Sequence, residues 1–488
     1  MAKINKDILF SIFEELQEDS KSLFSCTLVN RSCCEIVIPI LWKNPWRYNI
    51  NYHDKNSLYS LIISYLTDDT NEFLTRQGIS LPSISHQSLL FDYLSFCKSF
   101  DVEVLNSIIS TGTLDLHKES LLQQEIYNLL ISKCELKYLD IRSIRHQISY
   151  VLEAKDHFES LCELKCDTFV DSSYLQGLAS ICHYIQRLVI INKTIDVNYG
   201  LVKLIENQRN LKYFELRDDY DSEDLILSDP HKEIFLALSK KAAVLNHLII
   251  SFQVEIHYKH TIIQDVLAKL RKLKTLIINE FSITFSEDQL KTLVYRELET
   301  LNIDLISLND ASTIIENSGG QLREISLRFD GCGDLFCDSD FDEEDSLNFI
   351  RQIYKNCPLI ERLSLLLSSK IHFIEFDKLL TTCQNLKLLL LSISYVNDKE
   401  ETGEEILKIL TRSAPIKLRE IRFFDDIKFS LENLEEFFKN WKDRPALSIL
   451  TSDFLYTGKD YVKLINKYKN NGVVENFQCY EFEKYIYY

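Results

Sequence analysis

One short pattern recurs so often that it constrains the architecture before any other property is considered. The pattern is L-x-x-L-x-L. It begins at Leu136, Leu161, Ile185, Leu211, Leu245, Leu273, Leu298, Leu322, Ile360, Leu386 and Leu418, with a weaker copy near Leu447. The eleven starts are separated by 25, 24, 26, 34, 28, 25, 24, 38, 26 and 32 residues. In an extended segment successive side chains point to opposite faces, so the fourth and sixth positions of a copy share one face. Both are apolar in copy after copy and belong in a core. The third and fifth positions belong outside. Between copies lie stretches with apolar residues at helical spacing, such as Ser346 to Tyr354.

One strand and one helix cannot bury their apolar faces alone, and stacked copies can. A period of roughly 20 to 29 residues carrying this core is that of leucine-rich repeats. The expected fold class is α/β, a leucine-rich-repeat solenoid of parallel strands and helices shaped as a horseshoe, over residues 131–488. Cys182, Cys357 and Cys383 each stand three residues before a copy, and Cys134 stands two before. The run from Cys357 through Pro358 to Leu365 resembles the cysteine-containing repeats often attached to F-boxes. The plain reading of these thiols is burial where the preceding helix ends.

Residues 1–46 form a separate module. Ile8, Leu9, Ile12, Phe13 and Leu16 make one apolar stripe of a helix, with Asn5 as N-cap and Asp7 near its positive end. A second helical stretch carries Leu23, Cys26, Leu28 and Val29, and Pro39 is expected to end a third before Leu41 and Trp42. Some forty residues are few for a self-sufficient core, so apolar surface should remain for a partner. The stretch resembles an F-box, through Asp7-Ile8-Leu9, Ile12-Phe13, Ser22-Leu23, Cys26, Leu28-Val29-Asn30-Arg31 and Leu41-Trp42. It departs from that pattern twice: Ile4-Asn5 stands for Leu-Pro, and Cys33 stands for tryptophan. The stretch from Ile38 through Pro39, Leu41 and Trp42 to Trp46 also resembles members of large fungal F-box/leucine-rich-repeat families.

That resemblance implies a substrate receptor of an SCF-type (Skp–cullin–F-box) ubiquitin ligase. Such a chain docks to a Skp-type adaptor, and through it to a cullin–RING ligase, while the repeats hold a protein substrate. The adaptor-binding residues implied are Ile8, Leu9, Ile12, Phe13, Leu16, Leu23, Leu28, Val29, Arg31, Pro39, Leu41 and Trp42. The alternatives are a small helical cap on the solenoid and a protein-binding scaffold without ligase role. Residues 47–130 read as a helical linker or as degenerate repeats.

The outward strand positions are expected on the concave face. Among them Tyr138, Arg187, Tyr213, His247, Ile249, Ile277, Arg362 and Arg422 suit contacts with a protein substrate. Ile249 and Ile277 should be neighbours there, forming a small apolar patch unless other side chains cover them.

The formal net charge is −18. It argues against nucleic acid and anionic membranes as partners. All of it falls in three acidic stretches, Asp218 to Pro230, Asp330 to Asp345 and Asp398 to Glu405. Each follows a strand and lengthens a repeat, so one acidic rim is expected, either as solvated loops or as a steering surface for basic partners. Within the second stretch, Asp338 to Phe349 lacks the glycine and final glutamate of a calcium loop.

No apolar run approaches the roughly 20 residues of a membrane span, and the N-terminus lacks a secretory pattern, which points to the cytosol or nucleus. The thirteen cysteines include no CxxC. Neither phosphate-loop, HExxH nor GxSxG motifs occur, so no cofactor, metal or catalytic residue is expected.

Overall fold

The computed structural model describes residues 5–47, 52–82, 89–113, 115–142, 144, 158–219, 229, 231–253, 262–328, 343–367, 370–393, 399–424 and 427–479. The chain divides into two compact units, Met1–Val244 and Leu245–Tyr488.

The first unit opens with three helices, α1 (Lys6–Glu15), α2 (Ser20–Thr27) and α3 (Arg31–Lys43). Each starts on a side-chain cap. Asn5 accepts from the Asp7 N–H, Asp19 from Ser22 and Asn30 from Cys33. Such caps contribute about 1 kcal/mol each. Phe13, Leu23, Cys33, Ile36, Val37 and Ile40 close a core between the helices, with Leu9, Leu16, Cys26 and Leu41 packed on it. Pro39 does not end the third helix, which runs through it to Lys43. A proline inside a helix costs about 3 kcal/mol. Val37 and Ile40 on either side of it are buried, and each such side chain contributes roughly 1.5–3 kcal/mol, which outweighs the break.

Five parallel strands follow: β1 (Ser99–Asp101), β2 (Tyr138–Asp140), β3 (Glu163–Asp167), β4 (Arg187–Asn192) and β5 (Tyr213–Asp218). Strand β1 lies within 47–130, between helices Tyr93–Phe96 and Val102–Ile109. That region therefore carries a repeat strand as well as helices. The segment Cys97-Lys98-Ser99-Phe100-Asp101-Val102 keeps the inward positions apolar but has cysteine where the pattern begins with leucine, which hid it.

The second unit contains nine strands among its described residues. They are β6 (His247–Ser251), β7 (Thr275–Asn279), β8 (Thr300–Asp304), β9 (Glu324–Arg328), β10 (Arg362–Leu367), β11 (Leu388–Ile393), β12 (Glu420–Phe423), β13 (Leu447–Thr451) and β14 (Val474–Cys479). Each pairs parallel with its sequence neighbour. A helix separates each strand from the next. Both units are therefore parallel-strand α/β repeats, and the chain is a leucine-rich-repeat solenoid. Strand β14 was missed because its copy reads Val474-Glu475-Asn476-Phe477-Gln478-Cys479, with no leucine in it.

The fourth and sixth positions of all eleven copies are buried, from Leu139 and Ile141 to Ile421 and Phe423. The cysteines preceding the copies close helices: the Cys182 N–H bonds to the Leu178 carbonyl, Cys357 to Ile353 and Cys383 to Leu379. Burial pushes each of these three thiols up to about 12. Gln208 occupies the matching place before the Leu211 copy. Buried like the thiols, it satisfies backbone instead, accepting from Ile185 N–H at 2.9 Å and donating to Cys182 and Leu204 carbonyls at 2.8 and 2.9 Å.

Helix Tyr199–Asn207 lies close against helix Ser172–Ile181 at Gly200, whose N–H bonds to the Ser172 hydroxyl at 2.8 Å. A Cβ at Gly200 would collide with the Ser172 carbonyl, so this helix needs glycine there.

Candidate functional site

The three-helix module buries one side and exposes the other. Leu28 is 78% exposed, Val29 68%, Ile8 55% and Ile12 50%. Phe24 and Phe10 join them on the surface and were missed, because they fall off the apolar stripe used to assign the helix faces. Arg31 is exposed and bonds to Glu35 at 3.1 Å, as Lys6 does. These two cations, Lys6 first, hold the Glu35 carboxyl below the usual range.

The other residues expected at a partner surface lie deeper. Phe13 and Leu23 are corrections: both are in the module's own core, since each falls on the face its helix turns to its neighbours. Leu9, Leu16, Pro39 and Leu41 are half-buried. Trp42 is half-buried as well, with its ring 4.8 Å from that of Tyr93, so much of it is spent inside the chain.

The module is joined to the first repeat by polar contacts as well as packing. Trp46 is 4% exposed, and its indole N–H donates to the Ser99 carbonyl at 2.8 Å. Ser99 Oγ meets Asn44 Oδ1 at 3.0 Å, and the Lys98 N–H donates to the Lys43 carbonyl at 3.0 Å. Sequence reading did not single out Trp46 or Ser99, since nothing local marks a tryptophan and a serine 53 residues apart as partners.

On the open face of the first unit's sheet, strand register aligns Tyr138, Glu163, Arg187 and Tyr213 in one row. The Arg187 guanidinium lies 3.6 Å from the Tyr213 ring centroid. Tyr213 donates its hydroxyl to Glu215 at 2.6 Å, and Arg217 Nε donates to the same carboxylate at 2.6 Å. Burial, then the carboxylate of Glu215, pushes the Tyr213 hydroxyl up to about 12. Glu215 and Val189 were expected to point outward and are both buried, the former beneath this cation–aromatic lattice.

The second unit's face carries His247, whose Nδ1 is 3.0 Å from Thr275 Oγ1. Ile249 and Ile277 are register partners, both half-buried. Arg362 is exposed, 3.9 Å from Glu324, and Arg422 bonds to Glu420 at 2.6 Å. Ser364, another expected outward position, is buried; its hydroxyl accepts from the Leu327 N–H at 2.7 Å, in place of a strand bond.

The acidic rim is partly redrawn. Residues 220–228, 230, 330–342 and 398 lie outside the described residues. Asp218 is not on a rim: its side chain is fully buried, 3.1 Å from His231 Nε2 and 2.9 Å from Asn192 Nδ2. Glu343, Glu344 and Asp345 form the first turn of helix Glu343–Asn356, where acids meet the positive end of the dipole. Glu401, Glu404 and Glu405 lie in helix Lys399–Ser413.

Among the described residues no group of three or more His, Cys, Asp or Glu is placed to hold a metal ion. No described helix is long and apolar enough to cross a membrane. No protein-family model matches the sequence, and no curated protein does. Among solved structures, the chain is similar to an internalin, InlF, from Listeria monocytogenes, at 14% identity over 73% of this chain and 84% of that one, TM-score 0.34. It is also similar to the Rad7 and Elc1 complex in yeast, at 15% identity over 81% of this chain and 93% of that one, TM-score 0.38.

Proposed function

We propose that the chain is the substrate-recognition subunit of an SCF-type ubiquitin ligase. In this reading the N-terminal module docks a Skp-type adaptor and the repeats bind the protein to be ubiquitinated. One observation carries it: Ile8, Ile12, Leu28 and Val29 are each exposed on a small helical module whose sequence resembles an F-box. Four large apolar side chains left in water on so small a module are costly unless a partner covers them. Asn5 caps α1, and Cys33 is buried in the module's core.

The chain itself is non-catalytic in this proposal. It supplies proximity, holding a substrate lysine where other subunits transfer ubiquitin. The polar and aromatic face of the repeats, with Tyr138, Arg187 and Tyr213, suits protein contacts better than a small-molecule reaction. The setting is the cytosol or nucleus, where such ligases work.

The test is co-expression with a Skp-type adaptor. The double variant Ile8→Asp, Leu28→Asp should fold, because both side chains are exposed, and should lose adaptor co-purification. Retention of the adaptor at wild-type levels removes the docking surface and favours a scaffold without ligase role.

A further inference from the structure

A cavity of about 330 Å³ lies in the first unit, where the module meets strands β1 to β3. Lys43 and Arg47 line it from the module, and Asp101, Tyr138, Asp140 and Glu163 from the strands. Register sets Asp101 beside Asp140, and Tyr138 beside Glu163.

Most charges there already have partners. Arg47 is held by Glu18 at 3.0 Å and by the Gln17 carbonyl. Asp140 is gripped by Arg142, with Nη2 at 2.7 Å and Nε at 2.9 Å. Glu163 has Arg187 at 3.5 Å and Lys165 at 3.9 Å. Lys43 stands 3.9 Å from Glu14. Asp101 differs. One of its oxygens accepts from the Val104 N–H at 3.0 Å, capping helix Val102–Ile109, and no basic side chain makes an ion pair with it among the described residues. Burial, and more weakly the neighbouring Asp140, hold its carboxyl above the usual range; the Val104 N–H and the guanidinium of Arg142, which grips Asp140, pull the other way without offsetting what burial costs it.

A cation entering this cavity would relieve that half-buried carboxylate, and Tyr138, which lines the same cavity, also favours a cation over a neutral or anionic occupant. Tyr138 stands in the register row of Arg187 and Tyr213, and Asp101 and Asp140 in the next outward row, beside Lys165, so the cavity lies on the strand face that a bound protein would lie along. We propose that it takes one arginine or lysine side chain of a protein bound along this face, seated against Asp101 and Tyr138. This rests on the reading of the repeats as the substrate-binding part, and it narrows the substrate to proteins that present a basic residue in an accessible segment.

The experiment is saturation-transfer NMR on the full chain, with N-acetyl-L-arginine amide as probe and N-acetyl-L-citrulline amide as its neutral isostere. The arginine probe should give a saturable signal at least about fivefold above the citrulline one, since only it carries charge to the carboxylate. Asp101→Asn keeps the helix cap, because an asparagine oxygen accepts the same bond, and should abolish that difference. Tyr138→Ala, at a partly exposed site, should reduce it. Equal signals from the two probes on the wild type, or an undiminished preference in both variants, overturns the proposal. Adaptor co-purification by Asp101→Asn should stay at wild-type level, so failure of the cavity and failure of the receptor reading register in separate assays.

Discussion

The indole N–H of Trp46 donates to the main-chain carbonyl of Ser99 at 2.8 Å, from the end of the N-terminal module to the first strand of the repeats. With the indole buried, that bond cannot be exchanged freely for water, and the module and strand β1 are held in one geometry. Under the proposed receptor role, this contact would hold the adaptor-docking module at a fixed place relative to the first repeat strand.

Trp46→Ala should therefore destabilise the first unit by about 3–5 kcal/mol, the usual cost of emptying a large aromatic site. Trp46→Phe keeps most of the packing and leaves the Ser99 carbonyl without its donor, so about 1–3 kcal/mol is expected. Urea denaturation of the two variants measures the difference. A Trp46→Phe variant as stable as the wild type would mean that the hydrogen bond contributes nothing beyond packing.

Gly200→Ala adds a single methyl where the Ser172 carbonyl leaves no space. Overpacking of this kind costs about 1–3 kcal/mol, although alanine is the better helix former. Gly177→Ala, where a Cβ meets open space in the neighbouring helix, is the control and should be neutral or slightly stabilising. Thermal melts of both variants decide it.

Asp310 is buried in helix Leu308–Glu316, and burial raises its carboxyl above the usual range. The folded chain then keeps this proton to higher pH than the unfolded chain, whose carboxyl titrates at about 3.9. Between those two values the folded state binds more protons, so this group's contribution to stability falls as pH rises through the folded pKa. Asp310→Asn should gain stability relative to wild type on going from pH 4 to pH 7, and unfolding at the two pH values reads that difference. A difference that is independent of pH contradicts the burial effect.

Cys182, Cys357 and Cys383 should resist alkylation in the native chain at pH 8. Burial both blocks the reagent and keeps the thiolate form scarce. Mass spectrometry after brief iodoacetamide treatment should find these three unmodified, and modified under denaturant.

The repeat region was legible because its signal is periodic and apolar. A buried fourth and sixth position tolerates little besides an apolar side chain, so the eleven copies announce their own strands. The terminal copies escaped where cysteine, phenylalanine or valine filled the same volume, as at Phe100 and Phe477. The inward or outward direction of a strand residue was also readable, but not what covers it. Glu215 and Ser364 point as the alternation requires and are still buried, the first under Tyr213, Arg187 and Arg217, the second by bonding to Leu327. Asp218 counted as one more surface acid until His231, thirteen residues away, proved to be its buried partner. Such pairings depend on where the backbone returns, which no local pattern records. In the module the amphipathic stripe identified the helices, while the F-box resemblance implied a partner role for Phe13 and Leu23, which the module buries in its own core.

Hydrogen exchange on the full chain, with and without a purified Skp-type adaptor, tests the central proposal most directly. A receptor should form a stable complex, with protection concentrated in residues 6–31 around Ile8, Ile12, Leu28 and Val29 and the outward face of the repeats left unchanged. Absence of a complex at micromolar concentrations, or protection confined to the repeats, would contradict it.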